Sequence, residues 1–283
     1  MKVYEIITNA ILEKLEQGSI PWHRPWNGRE EMPKNLITKK AYQGINAFLL
    51  GCQGYGSPYW LTFKQCRDLG GSVRKGAKAT PIIYWNWLDI EKDGKTEDKV
   101  PFLRYYAVFN VEQCEGIPQD KVPQVPVNTN DIDKITVCEE IIEAMKDRPA
   151  ITHNRQAALY YALRDTINMP LFESFETAEA YYSTLFHELA HSTGHEKRLA
   201  RPGITDLSPF GTPSYSKEEL IAEMGAAFLC GFAGIENVTL DNSTAYIQGW
   251  LQKLRNDKKL VIVAAAQAQK AANYILNKPA LPE

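Results

Sequence analysis

The sequence predicts an α+β fold in two parts, an N-terminal α+β part followed by a mostly helical one. Three observations carry this. Two runs rich in aromatic and β-branched residues, 80–90 and 102–111, flank Lys92-Asp-Gly-Lys95, whose Asp-Gly pair is a hairpin turn signal. Beyond residue 130 apolar residues recur mostly at helical spacing. Between the two parts, the segment 115–130 holds three prolines and few large apolar side chains. It reads as an extended linker, because proline fixes φ and cannot donate to a ladder. The expected divisions are 1–116, a linker over 117–130, and 131–283.

In chain order, Ile6, Ile7, Ala10, Ile11 and Leu15 form one apolar helical face, ended at Gly18. Residues 44–50 and 62–69 read as short helices, followed by the hairpin. In the second part 131–145 is a helix, and 150–169 is ambiguous and could hold strands. Residues 176–192 form a helix that stops near Gly194, and 217–230, 244–255 and 258–276 are further helices.

The chain has 283 residues, 44% hydrophobic and 23% charged, which excludes a disordered chain, a collagen and a coiled-coil rod. No run of eighteen apolar residues occurs, so no membrane partner is expected. The first seventeen residues mix charged with apolar positions, so export is not expected either. The five cysteines are scattered and form no C-x-x-C pair, which fits reduced thiols in a cytoplasmic protein. The net charge of -2 hides an asymmetry. Residues 1–125 carry 17 Lys+Arg against 14 Asp+Glu, and the remainder 15 against 20.

His187-Glu-Leu-Ala-His191 is the strongest signal. With five His and 22 Glu in the chain, chance predicts roughly 0.007 occurrences of H-E-x-x-H. Histidines at i and i+4 share one helix face, so both His187 and His191 can reach one cation, most simply Zn2+. Glu188 then lies beside the open position as general base toward a metal-activated water. The longer H-E-x-x-H-x-x-G-x-x-H pattern requires histidine at Lys197, so His195, eight residues after His187, does not complete it.

The third ligand is therefore sought on a second helix. Glu219-Leu-Ile-Ala-Glu223 resembles the E-x-x-A-D helix of glutamate-liganded zincins, which implies Glu219 on the metal and Glu223 behind a histidine. Ser216-x-x-Glu219 is equally a capping box, in which case Glu223 is the ligand. Weight falls on Glu219, with Glu223 the alternative. His195, Tyr161 and Tyr215 are candidate transition-state donors.

In the N-terminal part, Trp22 and Trp26 stand near two bases, Tyr42 follows Lys39 and Lys40, and Arg74, Lys75 and Lys78 sit in a glycine-rich stretch. Basic groups interleaved with aromatics suit single-stranded DNA, because cations meet phosphates and rings stack on unpaired bases. The competing reading makes the tryptophans core and the lysines solvated surface.

The strings Pro21-Trp-x-x-Pro-Trp26, Tyr42-x-Gly-Ile-Asn46, Gly70-Gly-x-Val-Arg-Lys-Gly76 and Val108-Phe-Asn-Val-x-Gln113 precede His187-Glu-Leu-Ala-His-Ser-Thr-Gly-His195 and Glu218-Glu-Leu-x-Ala-Glu223. In this order they resemble the ArdC-type antirestriction proteins, and the first half is similar to TraC-type plasmid primases. The resemblance implies an N-terminal single-stranded-DNA-binding domain and a zincin-like metallopeptidase domain acting on an unidentified protein substrate. It also implies service to a mobile element, protecting incoming DNA from restriction. The rival reading is a non-catalytic replication or conjugation accessory with a structural metal.

Overall fold

The computed structural model describes residues 2–22, 32–92, 95–123, 131–206, 212–235 and 244–279. Helix α1 (Lys2–Glu16) buries Ile7, Ile11 and Leu15 on one face and ends at Gly18, whose φ of 76° only glycine adopts freely. After β1 (Lys34–Asn35) come α2 (Ile45–Gly51), β2 (Tyr59–Thr62) and α3 (Phe63–Asp68), the last started by a reciprocal capping box between Thr62 and Gln65. Strands β3 (Ser72–Val73), β4 (Thr80–Lys92), β5 (Lys95–Asn110) and β6 (Cys114–Glu115) complete this half. One sheet runs β1-β2-β5-β4, with β4 and β5 antiparallel from Thr80↔Val108 to Lys92↔Lys95. The expected hairpin is present, while its Asp93-Gly94 pair lies outside the described residues. Strands β3 and β6 form a separate pair.

The second half contains α4 (Asp131–Ala144), β7 (Ala150–Thr152), β8 (Leu159–Tyr161), β9 (Thr166–Asn168), α5 (Ala178–Ser192), α6 (Pro202–Thr205), α7 (Pro213–Ala233), α8 (Thr244–Asn256) and α9 (Leu260–Ile275). The ambiguous stretch is a three-stranded sheet, β7-β9-β8, which leaves β8 on an edge. Its strands are too short to show a period. Asn168 holds the intervening loop instead: its amide donates to the carbonyls of Arg155 (3.0 Å) and Ala157 (2.6 Å), and its Oδ1 accepts from the backbone of Asn154 and Arg155.

Helix α7 starts earlier than its apolar pattern suggests. Thr212 is the cap, accepting from the Tyr215 N–H at 3.2 Å, and Pro213 occupies the first turn. Ser216 is already inside the helix, its N–H bonded to Thr212 O at 2.9 Å. The capping-box reading of Ser216 and Glu219 is thereby corrected, and the Glu219 carboxylate is not needed as a cap.

Helices α5 and α7 cross closely at Gly225, where a Cβ would stand 2.9 Å from Ala190 Cβ. The alanine-rich α9 packs along α7, with Ala264, Ala265, Ala268, Ala271 and Ala272 buried. The largest apolar cluster joins Ile7, Ile11, Leu15, Trp22 and Phe48 from the first half to Leu185, Phe186, Phe228 and Leu254 from the second. Phe48 and Phe228 meet with ring centroids 4.5 Å apart. A smaller cluster of Leu36, Tyr59, Leu61, Cys66 and Cys114 is covered by Ile117 and Val122. The five cysteines are free thiols. Among the described residues no helix is long and apolar enough to cross a membrane.

Candidate metal centre

Thr177 caps α5, and one turn of that helix separates His187 from His191. Their Nε2 atoms face each other 3.0 Å apart. Two nitrogens about 2.0 Å from one tetrahedral ion lie about 3.3 Å apart, so this spacing fits a shared divalent cation. Helix α7 adds Glu219, with Oε2 3.7 Å from His187 Nε2 and Oε1 3.5 Å from His191 Nε2. One donor atom from each of the three residues falls within a 4.8 Å span. The three line a cleft of about 340 Å³ with Glu188, Tyr160 and Tyr215.

Glu188 is buried, and its Oε2 accepts the Tyr160 backbone N–H at 2.7 Å. Burial raises its pKa above the ordinary carboxylate range, opposed by His191 and by the Tyr160 N–H. Edge strand β8 is thus tied directly to α5. It is tied again through Tyr160 Oη, which donates to Asp165 Oδ1 (2.9 Å), while the Arg198 guanidinium grips the same carboxylate and its Nε donates to Ser192 O, at the end of α5, at 2.7 Å.

The carboxylate behind His191 is Glu218, with Oε1 3.5 Å from Nδ1. This corrects the assignment of that role to Glu223, whose carboxylate instead accepts hydrogen bonds from Trp22 Nε1 at 2.7 Å and from Tyr246 Oη. Burial lifts Glu223 to a pKa of about 7. Burial lowers the His191 pKa, but Glu218, Glu219 and Glu188 outweigh it and hold the ring up at about 9. Burial and the neighbouring His191 push His187 well below its ordinary value. Of the candidate donors, Tyr215 lines the cleft, and burial and the Glu219 carboxylate raise its phenol pKa. His195 lies in an adjoining hollow of about 200 Å³, and Tyr161 Oη accepts from Arg155 at 3.2 Å.

The proposed DNA contacts are distributed differently. Trp22 is 0% exposed and packs edge-on against Trp250, 5.9 Å between centroids. It cannot offer a face to a base, so its assignment as a stacking residue is corrected: its indole belongs to the core. Trp26 lies outside the described residues. Lys39 and Lys40 are exposed, with Lys39 Nζ 5.0 Å from the Tyr59 ring centroid. Tyr42 is half-buried and its hydroxyl accepts from Asn35 at 3.4 Å. Arg74, Lys75 and Lys78 are exposed on the turn after β3, where Gly76 has φ 85°. The hairpin adds exposed rings that sequence reading did not single out, Tyr84, Tyr105 and Tyr106. Sequence reading missed Arg201 and gave no role to Glu218, although Glu218 opens the Glu218-Glu-Leu-x-Ala-Glu223 string.

A buried pair of helices presenting His187, His191 and Glu219 beside Glu188 defines the class of a zincin-like metallopeptidase fold. The same class emerges from comparison: residues 137–267 match the zincin-like metallopeptidase family MPTase-PolyVal, and residues 1–109 match the N-terminal domain of anti-restriction factor ArdC. The metal-free crystal structure of the antirestriction ArdC protein from plasmid R388 is 33% identical, with TM-score 0.77 over 99% of this chain and 100% of that one. Its Mn(II)-bound structure is 34% identical, with TM-score 0.75 over 98% of each. The chain belongs to the ArdC antirestriction family. It is also 33% identical, over 96% of its length, to the DNA primase TraC of Escherichia coli. It spans only 20% and 27% of the length of two such primases.

Proposed function

We propose that this chain binds single-stranded DNA through residues 1–116 and carries a divalent cation, Zn2+, on His187, His191 and Glu219 to hydrolyse a peptide bond in a protein substrate. The observation that carries the peptidase reading is a three-residue donor set at an open cleft with a carboxylate next to it. Structural zinc sites are closed by four protein ligands, whereas catalytic ones keep a position open. Three donor residues form the set found among the described residues, which favours catalysis over the rival of a structural metal. The Mn(II)-bound R388 relative supports a divalent ion here.

When bound, the ion supplies Lewis acidity toward water and toward a scissile carbonyl. Glu188 is the general base. Its Oε2 is fixed by Tyr160 N–H, which leaves Oε1 to take a proton, and its raised pKa brings it closer to the value a base needs near neutral pH. Tyr215, at the cleft beside Glu219, is the best placed of the candidate donors to the developing oxyanion.

The DNA reading rests on the family of residues 1–109 and on the similarity to TraC. Lys39, Lys40, Arg74, Lys75 and Lys78, all exposed, would meet phosphates, and Tyr42 and the exposed rings of Tyr84 and Tyr106 would stack on bases. Free thiols fit a cytoplasmic setting on behalf of a mobile element.

The test uses the full chain. Zinc-loaded wild type should cleave an unstructured reporter protein such as dye-quenched casein. Glu188→Gln should lose that cleavage while keeping its metal and its salt-sensitive affinity for oligo-dT. Equal cleavage by Glu188→Gln and wild type would overturn the peptidase reading, and salt-independent or absent oligo-dT binding would overturn the DNA reading.

A further inference from the structure

We propose that Arg201 and Glu218 form a positioning unit for the metal centre, in which Arg201 locks the two ligand-bearing helices in register and Glu218 orients His191. The inference rests on the metal-site reading above and extends it to residues that touch no ion.

Arg201 is 4% exposed and Glu218 is 4% exposed, so neither charge has water to replace its partner. Arg201 Nε donates to Glu218 Oε2 at 3.0 Å, and one terminal nitrogen donates to Oε1. Glu218 is the residue immediately before Glu219, so this grip fixes the stretch of α7 that carries the third ligand. The same guanidinium reaches α5. It donates to Ala190 O at 2.8 Å and to Thr193 Oγ1 at 2.6 Å, just where the helix bearing His187 and His191 ends. One planar fork therefore joins both ligand helices at their ligand ends. Lysine, with a single nitrogen, cannot do so.

Glu218 has a second task. His191 directs Nε2 at His187 and Glu219, which leaves Nδ1 as the donor on the far side of the ring. Glu218 Oε1 stands 3.5 Å from that Nδ1. Nδ1 is buried and makes no aligned hydrogen bond, so the Glu218 carboxylate is the charge it faces at ion-pair distance. A carboxylate drawn onto that nitrogen fixes the tautomer and the ring plane and makes the coordinating nitrogen more basic. The backbone leaves room for the unit. A Cβ on Gly203 would meet Glu218 Cβ at 2.9 Å and Oε2 at 3.1 Å, and one on Gly194 would meet Arg201 at 3.1 Å and Ile204 Cγ1 at 2.5 Å.

A buried ion pair that served only the fold would behave differently from one that serves the metal. Removing one partner leaves a buried charge alone and destabilises, whereas removing both with apolar or neutral replacements restores stability. The experiment measures Zn2+ affinity by chelator competition, Co2+ absorption bands and thermal unfolding of the metal-free protein, for wild type, His191→Ala, Glu218→Gln, Arg201→Lys and the double variant Glu218→Gln/Arg201→Leu. Glu218→Gln and Arg201→Lys should weaken Zn2+ binding about 10–100-fold and shift the Co2+ bands. The double variant should recover its melting temperature but not its affinity. A double variant that recovers both, or single variants with wild-type affinity and Co2+ bands, would overturn the positioning role while leaving the metal site standing. Wild type that binds no more Zn2+ than His191→Ala would overturn the metal reading and this inference with it.

Discussion

The indole of Trp22 donates to the Glu223 carboxylate at 2.7 Å, across 201 residues of sequence. Glu223 lies one helical turn beyond the metal ligand candidate Glu219 on α7. The N-terminal segment is thus bonded to the metal-bearing helix, and α1 packs on α8 and α9 beside it. The two halves differ in charge and chemistry but share one core. A fragment ending in the proline-rich segment would bare Ile7, Ile11, Leu15 and Phe48, so DNA binding is to be measured on the full chain.

Trp22→Phe keeps most of the buried ring and deletes its donor. The Glu223 carboxylate keeps Tyr246 but loses one of two hydrogen bonds, at a cost of about 1–3 kcal/mol. Urea unfolding should show that loss, and oligo-dT affinity of the folded variant should equal wild type. A selective loss of DNA affinity with unchanged stability would return Trp22 to the DNA interface.

Glu223 also makes stability depend on pH. Burial raises its pKa from 4.5 to about 7, so between those values the folded protein holds more protons than the unfolded chain. Stability contributed by this site therefore falls as pH rises from about 4.5 to about 7, by on the order of 3 kcal/mol. In metal-free protein, Glu223→Gln should remove that slope. Urea midpoints of both proteins at pH 5 and pH 8 test it: the wild-type deficit relative to the variant should grow toward pH 8.

Glu219 and Glu223 separate by their effect on metal. Glu219→Gln removes one of three donor groups and should abolish most Zn2+ binding, whereas Glu223→Gln, four residues on and bonded to Trp22 and Tyr246, should change affinity far less. Chelator competition on the two variants reads the order directly. The reverse order would place Glu223 on the metal.

Gly225→Ala places a methyl 2.9 Å from Ala190 Cβ, between the helix that carries both histidines and the helix that carries Glu219. Overpacking of this kind costs about 1–3 kcal/mol. Separation of α5 from α7 should also weaken Zn2+ binding. Thermal unfolding and a zinc titration should move together; a stability loss with unchanged zinc affinity would show that the helices absorb the methyl elsewhere.

By itself the sequence determined the local features. The i, i+4 histidines of a helix, the hairpin around Asp93-Gly94 and the apolar face of α1 each depend on spacing within one element, and spacing is what a sequence displays. It also carried the family resemblance, through motif order. Tertiary structure alone decided the rest. Whether Ser216 caps α7 depended on Thr212 and Pro213 taking the first turn, which freed the Glu219 carboxylate to face His187 and His191. Trp22 read as a surface aromatic among basic residues because its partners, Glu223, Tyr246 and Trp250, lie more than two hundred residues away. Arg201 looked like one more charge in a chain with many, and Glu218 like one more acid beside Glu219. Only folding takes both out of water, and a buried charge must find its opposite.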